Sequence, residues 1–232
     1  MKTLTRFISF RFDDGFHEGA LRTHALLAPD RATFFLVTGL VEGTHSLEHI
    51  PEFRGRDFGN AAKWRALSDL GHDVQLHSVT HRSFLEISAS DQITEVTNSL
   101  QTIKQIQPGP YVFCFPYNQA VDIDFFSLGI SAAGFTSEPN GLAFNELARL
   151  RPFALKSQAT FEEDLERIVE RLGAQVPDGS WVILAFHSFD GEGYRPWTSA
   201  GFARLVAAVR SLDFEIVTVG AMIARAGGGA LL

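Results

Sequence analysis

Short apolar runs alternate with amphipathic stretches along the whole chain, and this alternation limits the fold more than any single residue does. Candidate strands lie at 4–12, 32–37, 73–77, 111–115, 150–155, 180–186 and 214–218. Helical spacing fills the gaps between them. After Ser90, the residues Ile93, Val96, Leu100, Ile103 and Ile106 share one face. Thr160-Phe161-Glu162-Glu163 reads as a capping box, followed by a stripe of Phe161, Leu165, Ile168, Val169 and Leu172. Thr198 can cap a third helix carrying Phe202, Leu205, Val206 and Val209. Strand–helix alternation predicts a parallel sheet, open or closed into a barrel. In either form a site forms at the carboxyl ends of the strands.

Chemistry-bearing residues fall at those ends. The run Leu4–Phe12 is followed by Asp13-Asp14, and Gly15 breaks it. The strand Asp73–Leu76 is followed by His77-Ser78-Val79-Thr80-His81, and 180–186 is followed by His187. Two histidines four residues apart can face the same way across one turn of chain. Two imidazoles and one carboxylate make a three-ligand site for a divalent metal, with a position left for water. The second carboxylate stays free to move protons. Each of these residues also has a plainer reading: an acid pair can cap a helix or make a turn, and a histidine after an apolar strand can be a core residue. A second H-x-x-x-H, His45–His49, has no strand feeding it and reads as surface or lid. Residues 38–62 look like a long loop over the same face. His17 is placed near the site, whereas His24 and His72 read as structural.

At 232 residues the chain suits a single α/β domain over 1–226, with a frayed tail at 227–232. A net charge of -7 without a Lys/Arg run argues against nucleic acid and anionic membranes as partners. No apolar stretch approaches a membrane span. Met1-Lys2-Thr3 runs directly into the first strand, so a cytoplasmic location is expected. The one cysteine, Cys114, excludes an intrachain disulfide and reads as a buried small side chain.

In chain order, these segments resemble the polysaccharide deacetylases, carbohydrate esterases that share the nodulation-deacetylase homology domain. Arg11-Phe12-Asp13-Asp14-Gly15 resembles their T-F-D-D-G motif, and Ala32-Thr33-Phe34-Phe35 their A-T-F-F strand. Gly71-His72-Asp73 with His77–His81 resembles G-H-E…H-S-x-x-H. Phe115-Pro116-Tyr117 resembles the end of R-x-P-Y, and Leu184–His187 resembles L-x-x-H. The resemblance implies a distorted (β/α)7–8 barrel and a metal-dependent deacetylase acting on N-acetyl or O-acetyl groups of a sugar or oligosaccharide. It implies Asp14, His77 and His81 as metal ligands, Asp13 as general base, His187 as general acid and the Tyr117 N–H as an oxyanion donor. Zn²⁺ is the expected ion, with Co²⁺ or Ni²⁺ able to use the same ligands. Phe115, Pro116, Tyr117 and Trp197 are expected to line the substrate, although the tryptophans are core by default. A linear amidase or deformylase on the same scaffold, and a weakly catalytic metal- or glycan-binding protein, are the alternatives. One departure stands out. Cys114 occupies the place of the motif arginine that orients the base in the family, and Arg149 or Arg151 are the expected replacements. The family's Asp-Trp pair has no clear match near Ser137–Asn140, and Asn118 replaces the usual glycine.

Overall fold

The structure is a computed structural model, and it describes residues 5–133, 153–154, 158–159 and 161–228. Its centre is one parallel sheet. Among the described residues nine strands take part: β1 (Arg6–Phe12), β2 (Thr33–Leu36), β3 (Asp73–Leu76), β4 (Val112–Phe113), β5 (Ala132–Ala133), β6 (Phe153–Ala154), β7 (Gln158–Ala159), β8 (Trp181–Phe186) and β9 (Phe214–Ile216). Their order is β6-β5-β4-β3-β2-β1-β8-β7, with β9 also on β1. The sheet curls into a half-barrel.

β1 is the hub. It pairs along its length with β8, from Phe7 opposite Trp181 to Phe12 opposite Phe186. Its first half also pairs with β9 and its last two residues with β2. A strand paired on both sides and covered on both faces needs side chains for two different environments, and they alternate with period two. Ile8, Phe10 and Phe12 enter the large core under the helices. Phe7, Ser9 and Arg11 point the other way, into the curl of the sheet. There Phe35, Val112, Cys114, Trp181, Ile183 and Val217 make a second core, closed by residues of the last helix. Trp181 donates its indole N–H to Ser9 Oγ (2.9 Å), so the inner face carries satisfied polar groups as well.

Helices cover the outer face: α1 (His17–Leu27), α2 (Thr38–Val41), α3 (Ala61–Asp69), α4 (Ala89–Ile106), α5 (Leu165–Ala174) and α6 (Ser199–Ser211), while α7 (Val219–Gly228) closes the inner one. In α4 the buried face runs through Val96, Leu100, Ile103 and Ile106, as its spacing predicts, whereas Ile93, in the first turn of the same stripe, is 38% exposed. The cap is Ser88, whose Oγ accepts the Asp91 N–H. Thr198 caps α6 by accepting the Gly201 N–H (3.0 Å). Thr160 lies outside the described residues. Glu162, close to it in the chain, accepts the Thr198 N–H (2.5 Å) and hydroxyl (2.8 Å), tying two helix starts together. The last helix carries through Gly227 and Gly228, where the sequence suggests a tail. Among the described residues, no helix is long and apolar enough to cross a membrane.

Parallel pairing sends each connection back across a face of the sheet, so all strands end on one side. Asp13-Asp14, His77, Cys114 and His187 follow directly on β1, β3, β4 and β8. The loop from 42 to 60 folds against this side, and its Phe53 and Phe58 pack on Phe16 at ring distances of 5.5 and 5.3 Å.

Candidate active site

Asp14 leaves the end of β1 with a left-handed backbone (φ 73°), and Gly15 follows at φ 82°. A Cβ on Gly15 would lie 3.0 Å from Leu36, so the turn needs glycine for both its conformation and its close approach. This turn aims the Asp14 carboxylate at the end of β3. His77 Nε2 lies 3.5 Å and His81 Nε2 3.3 Å from the same Asp14 Oδ1. That oxygen is buried and accepts no hydrogen bond. Burial works against the charge on Asp14, but the two imidazoles outweigh it and hold its pKa well below the usual carboxylate value. Burial likewise opposes protonation of His77, and the groups around it, Cys114 and Asp14 first, raise it well above the ordinary histidine value.

The loop between the two histidines is fixed from several sides. His77 Nδ1–H donates to the Cys114 carbonyl (2.9 Å), which turns Nε2 toward Asp14. Ser78 and His81 both have positive φ, 66° and 56°. Side chains in that region store about 1 kcal/mol or more each, and surrounding contacts must hold them there. Ser78 Oγ accepts the His81 N–H (3.0 Å). Glu95, reaching up from α4, accepts the N–H groups of Val79 (2.8 Å) and Thr80 (2.9 Å) and the Thr80 hydroxyl (2.6 Å). Phe53 and Tyr117 rings lie 5.7 and 4.7 Å from the His81 ring.

Among the described residues, two clusters of metal-ligating type share His77: Asp14, His77 and His81, and Asp13, His77 and Cys114. They are not equivalent. Arg11 Nε donates to Asp13 Oδ1 (2.7 Å), and its Nη2 donates to Asp13 Oδ2 and to Cys114 Sγ. A guanidinium already fills the second cluster, so a cation belongs in the first. The first also has the right size. In a tetrahedral site with bonds of about 2.1 Å, two donor atoms sit about 3.4 Å apart. The two distances to Asp14 Oδ1, 3.3 and 3.5 Å, bracket that value. A buried acceptor with no hydrogen bond and two imidazole nitrogens at this spacing fit a divalent cation.

His187 is half-buried and close enough to Asp14 to help lower its pKa. The Tyr194 ring, 51% exposed, stands 5.6 Å from its imidazole. Gly193 (φ 82°) permits this, since a Cβ there would meet Phe16 at 3.0 Å and His187 Cβ at 3.2 Å. Tyr117 is 55% exposed, with φ 56°. Burial of its hydroxyl, helped by Asp14 and Glu86, raises its pKa, so the phenol stays protonated.

Several expectations change. Trp197 is 1% exposed and packs on Phe186 at 5.3 Å, so its ring is in the core and out of reach of a substrate. Phe115 is likewise buried, against Phe84, Phe113 and Phe125, and Pro116 is buried. Of the four expected substrate-lining residues, Tyr117 alone presents its side chain to solvent. The exposed aromatic on the other side is Tyr194, three residues before the tryptophan that the sequence favours. His17 packs on Trp64 and faces Asp57 at 3.6 Å, outside the cluster. Arg149 and Arg151 lie outside the described residues, and the arginine on Asp13 is Arg11. The signal for it is in the sequence: two residues apart on a strand means one face.

The curled parallel sheet thus gathers an acid pair, a histidine pair and a third histidine at its strand ends. Residues 1–123 match the polysaccharide deacetylase family, and the chain belongs to it. It is therefore a hydrolase acting on carbon–nitrogen bonds other than peptide bonds, of the carbohydrate deacetylase type. No curated protein matches it significantly. Among solved structures it is similar to the CE4 domain of a multidomain xylanase from the hindgut metagenome of Trinervitermes trinervoides (17% identity, TM-score 0.59, 97% of this chain and 92% of that one). It is similar also to the peptidoglycan deacetylase PdaC from Bacillus subtilis (16%, 0.53, 99% and 94%). A CE4 family pseudoenzyme from Bacillus anthracis shares the fold as well (13%, 0.54, 94% and 66%).

Proposed function

We propose that this protein is a metal-dependent deacetylase that removes an N-acetyl group from a sugar or oligosaccharide. The observation that carries the reading is the convergence of His77 Nε2 and His81 Nε2 on one buried, unbonded oxygen of Asp14 at metal-ligand spacing. These three residues would hold the ion, and two imidazoles with one carboxylate suit Zn²⁺. When bound, a divalent cation of this kind supplies Lewis acidity to a carbonyl and lowers the pKa of a water to about 7.

The remaining steps belong to the side chains. Asp13 keeps both carboxylate oxygens on the Arg11 fork, so it stands beside the cluster without joining it. It takes the proton of the attacking water. His187 gives a proton to the departing amine nitrogen, a task for which imidazole is suited near neutral pH. The Tyr117 N–H donates to the oxygen that becomes negative at the acyl carbon. Tyr117 and Tyr194 supply exposed rings on which a pyranose face can rest.

The test is a substrate panel on protein loaded with Zn²⁺: N-acetylated oligosaccharides, O-acetylated sugars, and simple linear amides and formamides. Release of acetate from the oligosaccharides, abolished by chelation and restored by added metal, is expected. Hydrolysis of simple amides alone would replace the sugar reading with a linear amidase. Zinc binding without any hydrolysis would leave a binding protein.

A further inference from the structure

We propose that Arg11 is the positioning residue for Asp13, and that it works from the first strand across the curl of the sheet into space that Cys114 leaves open on the fourth. The inference rests on the role proposed above for Asp13. Arg11 and Asp13 are two residues apart at the end of β1, so both face inward. The Arg11 side chain is buried (2% exposed) and engages both oxygens of Asp13, a fork that fixes the carboxylate in plane as well as in place. Below it the guanidinium lies 5.4 Å from the Phe35 ring, so it has little room to move. β1 and β4 are separated by β2 and β3 in the sheet, yet Arg11 reaches the Cys114 thiol. Positions 11 and 114 therefore open onto one volume. One long side chain fills it from either strand, and two would not fit.

The consequence concerns the cation site. Asp13 adjoins Asp14, and the second cluster shows its carboxylate within ligand range of His77. Held by Arg11, Asp13 is kept out of the metal's coordination and available as a base. The bonds of Arg11 to Asp13 and Cys114 leave Asp14, His77 and His81 to the ion, and a lysine that keeps the positive charge there leaves that division in place.

The experiment compares full-length protein with Arg11→Lys, Arg11→Thr and the double variant Arg11→Thr/Cys114→Arg. It reads kcat and KM on an N-acetylated oligosaccharide, zinc affinity by competition titration, and the thermal melt. Lysine keeps the charge and loses the fork. Its kcat should fall roughly 10–100-fold, the scale for a misplaced catalytic group, with KM and zinc affinity held within about threefold. Arg11→Thr should be slower still, and the double variant should recover at least about tenfold of that loss, because the arginine returns from the opposite wall. A Lys variant with wild-type kcat overturns the proposal, as does a folded double variant no faster than Arg11→Thr. The Lys variant decides alone if the others fail to fold. Failure of wild-type protein to deacetylate anything while binding zinc would instead refute the proposed function.

Discussion

His72 makes stability depend on pH at a place remote from the proposed chemistry. It is buried (2% exposed) just before β3. Its Nδ1 accepts the Ala32 N–H (3.1 Å), so Nε2 carries the proton and donates to His24 Nδ1 (3.0 Å). A second proton on Nδ1 would face that N–H. Burial first, then the nearby His24 and Arg31, lower its pKa from 6.5 to about 4. The Phe34 ring packs against it at 5.3 Å and offers no charge. A histidine with a depressed pKa binds fewer protons folded than unfolded. Its contribution is complete above pH 6.5 and is lost as pH falls toward 4. A tenfold difference in proton affinity between the folded and unfolded chain is worth about 1.4 kcal/mol. The full effect is therefore about 3 kcal/mol, of which about 2 kcal/mol is lost between about pH 7 and about pH 5. The assay is urea unfolding of wild type and His72→Gln at both values under saturating zinc, so that titrations away from the His24–His72 pair cancel in the difference. The stability gap between the two proteins should narrow by about 2 kcal/mol on acidification. Parallel pH profiles would refute the reasoning.

Other perturbations address the site. Asp13→Asn should keep its zinc, measured by elemental analysis, and lose about 10²–10⁴-fold in kcat. His77→Ala should lose the ion on dialysis, since two protein ligands hold it poorly. Glu95→Ala removes three hydrogen bonds from the loop between the histidines, and zinc affinity should fall about 10–100-fold while Glu95→Gln loses less. Tyr194→Ala should raise KM for an acetylated oligosaccharide about 5–30-fold, from the loss of about 1–2 kcal/mol of ring contact. A small aryl acetate should show little change in either constant, and equal losses on both substrates would make Tyr194 a support of His187 instead.

What the sequence revealed depended on how local each cause was. β1 and β8 are long enough to show their apolar residues, and the groups after them land where parallel strands must end. The α4 face was readable because eighteen residues repeat one period five times. The start of that helix was not legible, because Ser88 and Ser90 offer the same hydroxyl and only the fold decides which one meets a free N–H. β5 and β7 are two residues each, too short to carry any period, and they exist because neighbouring strands supply partners. The choice between Tyr194 and Trp197 was also beyond local pattern. Both are aromatic, and the outcome turns on Phe186, which packs against the tryptophan and leaves the tyrosine outside.

Arg11 is the more instructive case, because the rule that finds it is elementary. A charged residue inside an apolar strand has to be paired, and its nearest partners on the same face are two residues away. Residue 9 is Ser, which already serves the Trp181 indole and the Val217 carbonyl, so the partner is Asp13. Comparing motifs position by position sees an arginine missing at 114 and looks for it further along the chain. Comparing what each strand sends into the curl of the sheet sees the same guanidinium delivered from the opposite wall. A motif records where the chain usually places a group, while the chemistry depends only on where that group arrives. For this protein the test of competence is therefore whether Asp13 is held, and the fork from Arg11 holds both of its oxygens.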